Sequence, residues 1–207
     1  MERISSIQGP FAGGIDGVRL ELLASRARKL GHGTALNLVS GLLRRIRDYS
    51  AVVHDCQSDT RLRATLLVPV GSAPGEVDAL RVWAYDDSHR DRAHTCLPLR
   101  IRGEMVAGAP RAYLLREVDV LLDIHSVERP PGLTRRAYRG ILSIPLDACD
   151  PATGCPLGVV CIDANRPGFF DSAVAVNRLH PLIAPALNTI GLVLARRNGS
   201  QPYAFPD

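Results

Sequence analysis

"GILSIPLDACDPATGCPLGVVCIDANRPGFFD", residues 140–171, decides the fold. Two apolar runs rich in Ile and Val, 140–146 and 156–164, flank a connector rich in Pro, Gly and Asp. That pattern predicts a β-hairpin. Pro167 and Gly168 then stop the second run, and a helical pattern follows.

Working outward, "RLRATLLVPV" (61–70) alternates Leu62, Ala64, Leu66 and Val68, which predicts a half-buried strand. "GSAPGE" reads as a turn. Residues 78–85 return as a second strand, with Leu80, Val82 and Ala84 on one face and Arg81, Trp83 and Tyr85 on the other. After the polar loop "DDSHRDRAHT", Cys96 to Arg102 forms a short strand weakened by Pro98. Gly108, Ala109 and Ala112 are small enough for a short helix to approach the sheet closely. Glu117 to Ile124 reads as another strand, and 126–139 as a loop with a helical turn.

Helices occupy the two ends. Asp16 caps a first helix that stops at Leu30 before Gly31 and Gly33, and Thr34 caps a longer one to about Asp55. Ala35, Val39, Leu42, Ile46, Tyr49 and Val53 recur at alternating steps of four and three, the seam of a helix packed lengthwise on another. A second stripe, Leu36 and Leu43, widens it. The stripes serve either one subunit's core or a dimer. Near the C-terminus Ile183, Leu187, Ile190 and Leu194 repeat the seam, while Pro181 suits a first helical residue and Pro185 demands a kink or a late start. The order of elements predicts an α+β fold: a central antiparallel sheet of about five or six strands, terminal helices on one face, short helices and loops on the other.

At 207 residues and 46% apolar composition, one domain with helical extensions is expected. Residues 1–33 read as a flexible N-terminus with a leading helix, 34–197 as the folded domain, and 198–207 as a mobile tail. No run of eighteen apolar residues spans a membrane, and the N-terminus lacks a secretory apolar segment, so the expected location is cytoplasmic. Net charge is +4, and Lys29 is the only lysine among 25 basic residues. A GC-rich genome accounts for that bias, with bidentate anion binding the alternative. Interspersed acids and few aromatics argue against a nucleic-acid partner. Five cysteines without framework spacing suit a reducing compartment. Cys149 and Cys155 flank "CDPATGC" and are either a redox pair or two small loop residues.

The chain resembles the GAF domain over Leu36 to Ala195. The resemblance is carried by "LRATLLVPVG", "LRVWAY", "GAPRAYLLREVDVLLDI", "YRGILSIPL" and "PLGVVCIDANRPGFF", in that order. Gly108, Ala112 and Asp123 occupy positions where the family has its Gly, Ala and strand-ending Asp. The resemblance implies a sensor fold that pairs through its terminal helices, here 34–55 and 183–195. Such domains commonly precede an output domain. This chain ends after its last helix, which implies a stand-alone sensor or one with a separate output protein.

Four chemistries find candidate residues in the chain. Free methionine-R-sulfoxide reductase, built on the same fold, attacks with an accessible low-pKa thiolate. "LLDIHSVERPPGLTRRAYRGILSIPL" resembles its corresponding stretch, including Asp123 and His125, but residues 126–139 hold no cysteine; Cys96 and Cys161 are the candidates in its place. For cyclic-nucleotide binding, Asn165 and Phe170 fit the start of the family signature, and its Lys and Asp-Glu pair are missing. A bilin needs a cysteine, which "HTC" (94–96) offers, and haem an inward histidine, for which His94 and His125 are candidates. Metal has two compact donor sets, His89, Asp91, His94 and Cys96, and "HDC" at 54–56, against a requirement for four convergent ligands. Neither cofactor nor metal is expected.

The expectation is a non-catalytic small-molecule-sensing or regulatory domain that dimerises. The alternatives are a protein-interaction module with a collapsed pocket and a reductase-like enzyme. By the resemblance, the ligand cup is lined by Trp83, Tyr85, Cys96, Leu99, Asp123, His125 and Tyr138. Ordinary core packing is the competing reading of each.

Overall fold

A computed structural model describes residues 32–71, 76–86, 96–126 and 138–198. The first helix ending at Leu30, most of the 71–76 turn, the 87–95 loop with His89, Asp91 and His94, residues 127–137 and the tail all lie outside the described residues.

Helix α1 spans His32–Val53, so it begins two residues before Thr34, which is an exposed residue inside it. Its end follows from backbone chemistry. Cys56 N–H donates to the Ala51 carbonyl (2.9 Å) and Asp55 N–H to that of Val52 (3.3 Å), with Asp55 left-handed at φ 48°. This pair of bonds satisfies carbonyls the helix leaves open, and Asp tolerates the conformation better than most residues.

The strands are β1 (Leu62–Val70), β2 (Ala79–Tyr85), β3 (Cys96–Pro98), β4 (Arg100–Ile101), β5 (Glu104–Met105), β6 (Asp119–Leu121), β7 (Gly140–Pro145) and β8 (Val159–Ala164). Six form one sheet in the order β3-β2-β1-β8-β7-β6, every neighbouring pair antiparallel; β4 and β5 form a separate small hairpin. The hairpin read from the sequence is β7–β8, in register from Gly140 opposite Ala164 to Pro145 opposite Val159. β8 also pairs with β1, Leu62 opposite Ala164, so the hairpin sits at the centre of the sheet. Pro98 is on the edge strand β3, where its missing donor costs no sheet bond.

Helix α2 (Ala109–Leu115) and helix α3 (Ala173–Asn198) lie on opposite faces of this sheet. One face joins Leu62, Ala64, Leu66, Val68, Leu142, Ile144, Val160 and Ile162 to α1 and α3. The other packs Leu67, Leu80, Val82, Ile141, Val159 and Cys161 against α2. β1 is therefore not half-buried as its alternation suggested: both its faces are covered. The fold is the expected α+β arrangement. Both stripes of α1 serve this one core, with Val39, Leu42, Leu43 and Ile46 buried together, and only Tyr49 falls out of the seam at 44% exposed.

α3 corrects the reading at its prolines. It starts at Ala173, where Ser172 Oγ accepts from Ala175 N–H (3.2 Å), and runs unbroken past Pro181 and Pro185. Both prolines face solvent, while Leu179, Ile183, Leu187, Ile190 and Leu194 are buried. The packed face outweighs two lost backbone bonds. By length and hydropathy α3 would also pass as a membrane span, but half of that stretch is buried in the core, as a core helix requires.

Between Leu66 and Leu67 the β1–β2 register shifts, Leu66 facing Ala84 and Leu67 facing Val82. Trp83 is the extra residue of this bulge. The bulge turns the face of β2: Leu80 and Val82 belong to the α2 side, Ala84 to the α1–α3 side. These three do not share one face, as plain alternation predicted.

Candidate functional site

The α2 side of the sheet, where the resemblance places the cup, is polar at its centre. Residues facing the same way on β1, β8 and β7 form two cross-strand rows. Thr65 stands opposite Cys161, and Cys161 opposite Ser143; one step along, Arg63 stands opposite Asp163, and Asp163 opposite Ile141. Directly paired residues of antiparallel strands place their Cβ atoms about 5 Å apart. Ser143 Oγ and Cys161 Sγ are 3.5 Å apart. Arg63, Thr65, Ser143, Cys161 and Asp163 are each no more than 6% exposed. Tyr85 faces Thr65 across the β1–β2 pair, and the Arg63 guanidinium lies 3.6 Å from the centroid of the buried Tyr138 ring. Thr65 Oγ1 is buried without a hydrogen-bond partner. Burying polar groups costs free energy unless partners are supplied.

At the rim, Asp123 and Arg139 form a two-pronged ion pair, with Arg139 Nε 2.9 Å from Asp123 Oδ1, and His125 N–H donates to that oxygen (3.0 Å). The Arg139 guanidinium, then the His125 amide, hold the Asp123 carboxyl well below the usual carboxylate range; Asp123 in turn raises Arg139. Ile124 N–H donates to the Arg139 carbonyl (2.7 Å), and Arg139 N–H to that of Ala164 (2.8 Å). These bonds tie the chain entering β7 to the chain leaving β6. Close approach is needed here: at Gly108 (φ 87°) a Cβ would lie 3.3 Å from Leu121 Cδ1. Asp119 completes the corner, accepting from Gly108 N–H (2.7 Å) and pairing with Arg111.

The expected lining residues separate into three groups. Tyr85, Leu99 and Tyr138 lie on the cup side, the first two in its apolar cluster. Asp123 stands at the rim, engaged with Arg139. Trp83 does not line the cup, because the bulge turns it onto the α1–α3 core. Cys96 is exposed on the edge strand, and His125 is exposed, with its amide bonded to Asp123. His125 is thus not the inward histidine that haem requires.

Arg63, Thr65, Ser143, Cys161 and Asp163 are absent from the lining that the sequence predicts. The signal was present: polar residues at every second position of two strands whose other positions are apolar. Reading β1 as half-buried assigned Arg63 and Thr65 to solvent instead.

The remaining candidates have structural employment. Asn165 Oδ1 accepts from Arg61 N–H (2.8 Å), its Nδ2 donates to the Asp59 carbonyl (3.1 Å), and Phe170 is buried on the helix side. In "HDC", Cys56 Sγ donates to the Thr60 carbonyl and Asp55 is exposed. Among the described residues, no three His, Cys, Asp or Glu side chains are placed to hold a metal. All five cysteines are free. Cys149 pairs with Pro156 in a single antiparallel bridge, with Asp150 N–H bonded to the Cys155 carbonyl one step on. Successive residues of such a ladder point to opposite faces, so Cys149 and Cys155 diverge.

A six-stranded antiparallel sheet with the long helices on one face and a short helix on the other is a GAF-type fold. No family model and no curated protein matches the chain. Among solved structures it is similar to the GAF domain from Acinetobacter phosphoenolpyruvate-protein phosphotransferase, at 15% identity over 93% of this chain and 99% of that one, TM-score 0.49. It is similar to fRMsr of Staphylococcus aureus in its reduced form, at 14% identity over 90% of this chain and 99% of that one, TM-score 0.48. The type II free methionine-R-sulfoxide reductase from Thermoplasma acidophilum is 16% identical over 75% of this chain and 94% of that one, TM-score 0.45.

Proposed function

We propose that the chain is a sensing or regulatory domain, without catalysis of its own, that takes a small polar molecule on the floor of the cup. The observation that carries the reading is the row Thr65–Cys161–Ser143 beside Arg63 and Asp163, buried on a sheet face that is otherwise apolar. Small-molecule sites have this character, apolar walls with a few placed polar groups. A ligand hydroxyl or carbonyl supplies the partner that Thr65 Oγ1 lacks. Occupancy reaches α1 and α3 because they pack on the reverse of the same strands. The domain pairs with a second copy through 34–55 and 183–195, where Tyr49, Val52 and Leu192 expose apolar surface. Five free cysteines fit a cytoplasmic setting.

A metabolite screen by thermal shift and native mass spectrometry tests this. A ligand at about 100 times its Kd adds about 2.7 kcal/mol of stability, a rise of roughly 5–10 °C in Tm. Thr65→Val and Asp163→Asn abolish the shift in proteins that still fold. A screen in which nothing shifts favours the interaction module with a collapsed cup. Turnover of free methionine-R-sulfoxide, lost in Cys161→Ser or Cys96→Ser, replaces the non-catalytic reading with the enzyme. Light scattering that returns a monomer at micromolar concentration ends the dimer.

A further inference from the structure

His54 closes the last turn of α1, and its ring is held on three sides. Its Nδ1–H donates to the Ser50 carbonyl one turn earlier (3.1 Å), which fixes the tautomer. The ring stacks on Phe169 (centroids 5.2 Å apart, planes at 26°) and meets Phe170 edge-on (5.3 Å, 83°). The two phenylalanines are themselves perpendicular at 5.0 Å. Nε2 is buried and has no hydrogen-bond partner. Phe170 is 2% exposed in the helix-side core, and Asp171 and Ser172 lead from it directly into α3. One aromatic contact thus joins the end of one terminal helix to the start of the other.

From this geometry we infer that His54 is a pH-responsive clasp: neutral, it fastens the end of α1 to the Phe169–Phe170 turn; protonated, it lets go. Protonation adds an N–H at Nε2, where packing offers no acceptor, so the imidazolium is satisfied only by leaving the phenylalanines for water. The charged group acting on the ring across this contact is Asp171, from the turn before α3. From the turn after α1, Asp55 and Asp59 are exposed carboxylates. Burial pushes the His54 pKa below its ordinary value of 6.5, against the smaller opposing pulls of the Ser50 carbonyl and Asp171. With the folded value below the unfolded one, the unfolded chain takes up the proton first. The contact's stabilisation is complete above pH 6.5, and it is lost as pH falls from there through the folded value.

The test uses the full chain and does not involve a ligand. NMR titration of the His54 ring gives its pKa, and melting temperatures of wild type and His54→Phe are compared between about pH 7 and pH 5. The phenylalanine keeps the stacking and cannot titrate, and the other five histidines are common to both proteins. His54 is expected to titrate below 6.5, and wild type to lose more Tm on acidification than His54→Phe. Fluorescence of Trp83, the single tryptophan, packed on the same core, follows the loosening. Equal pH slopes in the two proteins overturn the inference, and so does a His54 pKa at or above 6.5. If His54→Phe does not fold, the wild-type titration decides alone.

Discussion

The Arg63 guanidinium carbon lies over the ring of Tyr138, 3.6 Å from its centroid, with both side chains shut off from water. Arg63 belongs to the central strand of the sheet and Tyr138 to the chain entering β7, so the stack fastens that entry onto the cup floor. A desolvated cation–π contact contributes about 2 kcal/mol. Tyr138→Phe keeps the ring face and is expected to cost less than about 1 kcal/mol. Tyr138→Leu removes it and is expected to cost about 2–3 kcal/mol, measured by urea unfolding with an unchanged m-value. A Tyr138→Leu protein as stable as wild type would show that the stack is incidental.

Asp86 holds α1 to the sheet through a buried carboxylate. Its Oδ2 accepts from Ala64 N–H (3.1 Å) and from Arg47 of α1 (3.2 Å), and its own N–H donates to the Ala64 carbonyl. Arg47 also bonds Asp48, which is 60% exposed. The two carboxylates contact the same arginine in different dielectric surroundings, so their removal separates burial from contact. Asp86→Ala leaves the buried Ala64 amide without its partner and takes from Arg47 the more deeply buried of its two carboxylates, and a loss of about 3 kcal/mol is expected. Asp48→Ala is expected to change stability by less than about 0.5 kcal/mol. Equal losses in the two variants would refute the assignment.

What the sequence made legible followed from local chemistry. The β7–β8 hairpin was announced by its β-branched runs and Pro/Gly/Asp connector, and the seam of α1 by its steps of four and three. Three features depended on what lies across the fold. β1 reads as half-buried, because a strand's own pattern does not reveal that α2 covers its second face. The bulge at Trp83 leaves no mark in "LRVWAY", so plain alternation puts Trp83 on the side opposite to the one it occupies. α3 carries two prolines that argue for a break, yet Pro181 and Pro185 share a solvent face and the buried face holds the helix together. The cup floor was missed for the first of these reasons: Arg63 and Thr65 are surface residues until the sheet is known to be covered.

Glycines at 158 and 41 give the packing its sharpest contrast. A Cβ on Gly158 would sit 2.7 Å from the Leu67 carbonyl oxygen and 3.2 Å from Leu66 Cδ1, at the point where the β1–β2 register shifts. The nearer atom is backbone of the central strand, which has no rotamer to change. Gly158→Ala is therefore expected to cost about 1–3 kcal/mol, as overpacking does. Gly41, in the middle of α1, has nothing within 4 Å of the same position. Alanine there restricts the unfolded chain and suits a helix, so Gly41→Ala is expected to add about 0.5–1 kcal/mol. Denaturant unfolding of the two variants side by side reads both signs. If Gly158→Ala proves neutral, the strand does not lie against Leu67 as described. If Gly41→Ala destabilises, the exposed side of α1 is in contact with something, and a second copy of the chain is the first candidate to examine by light scattering.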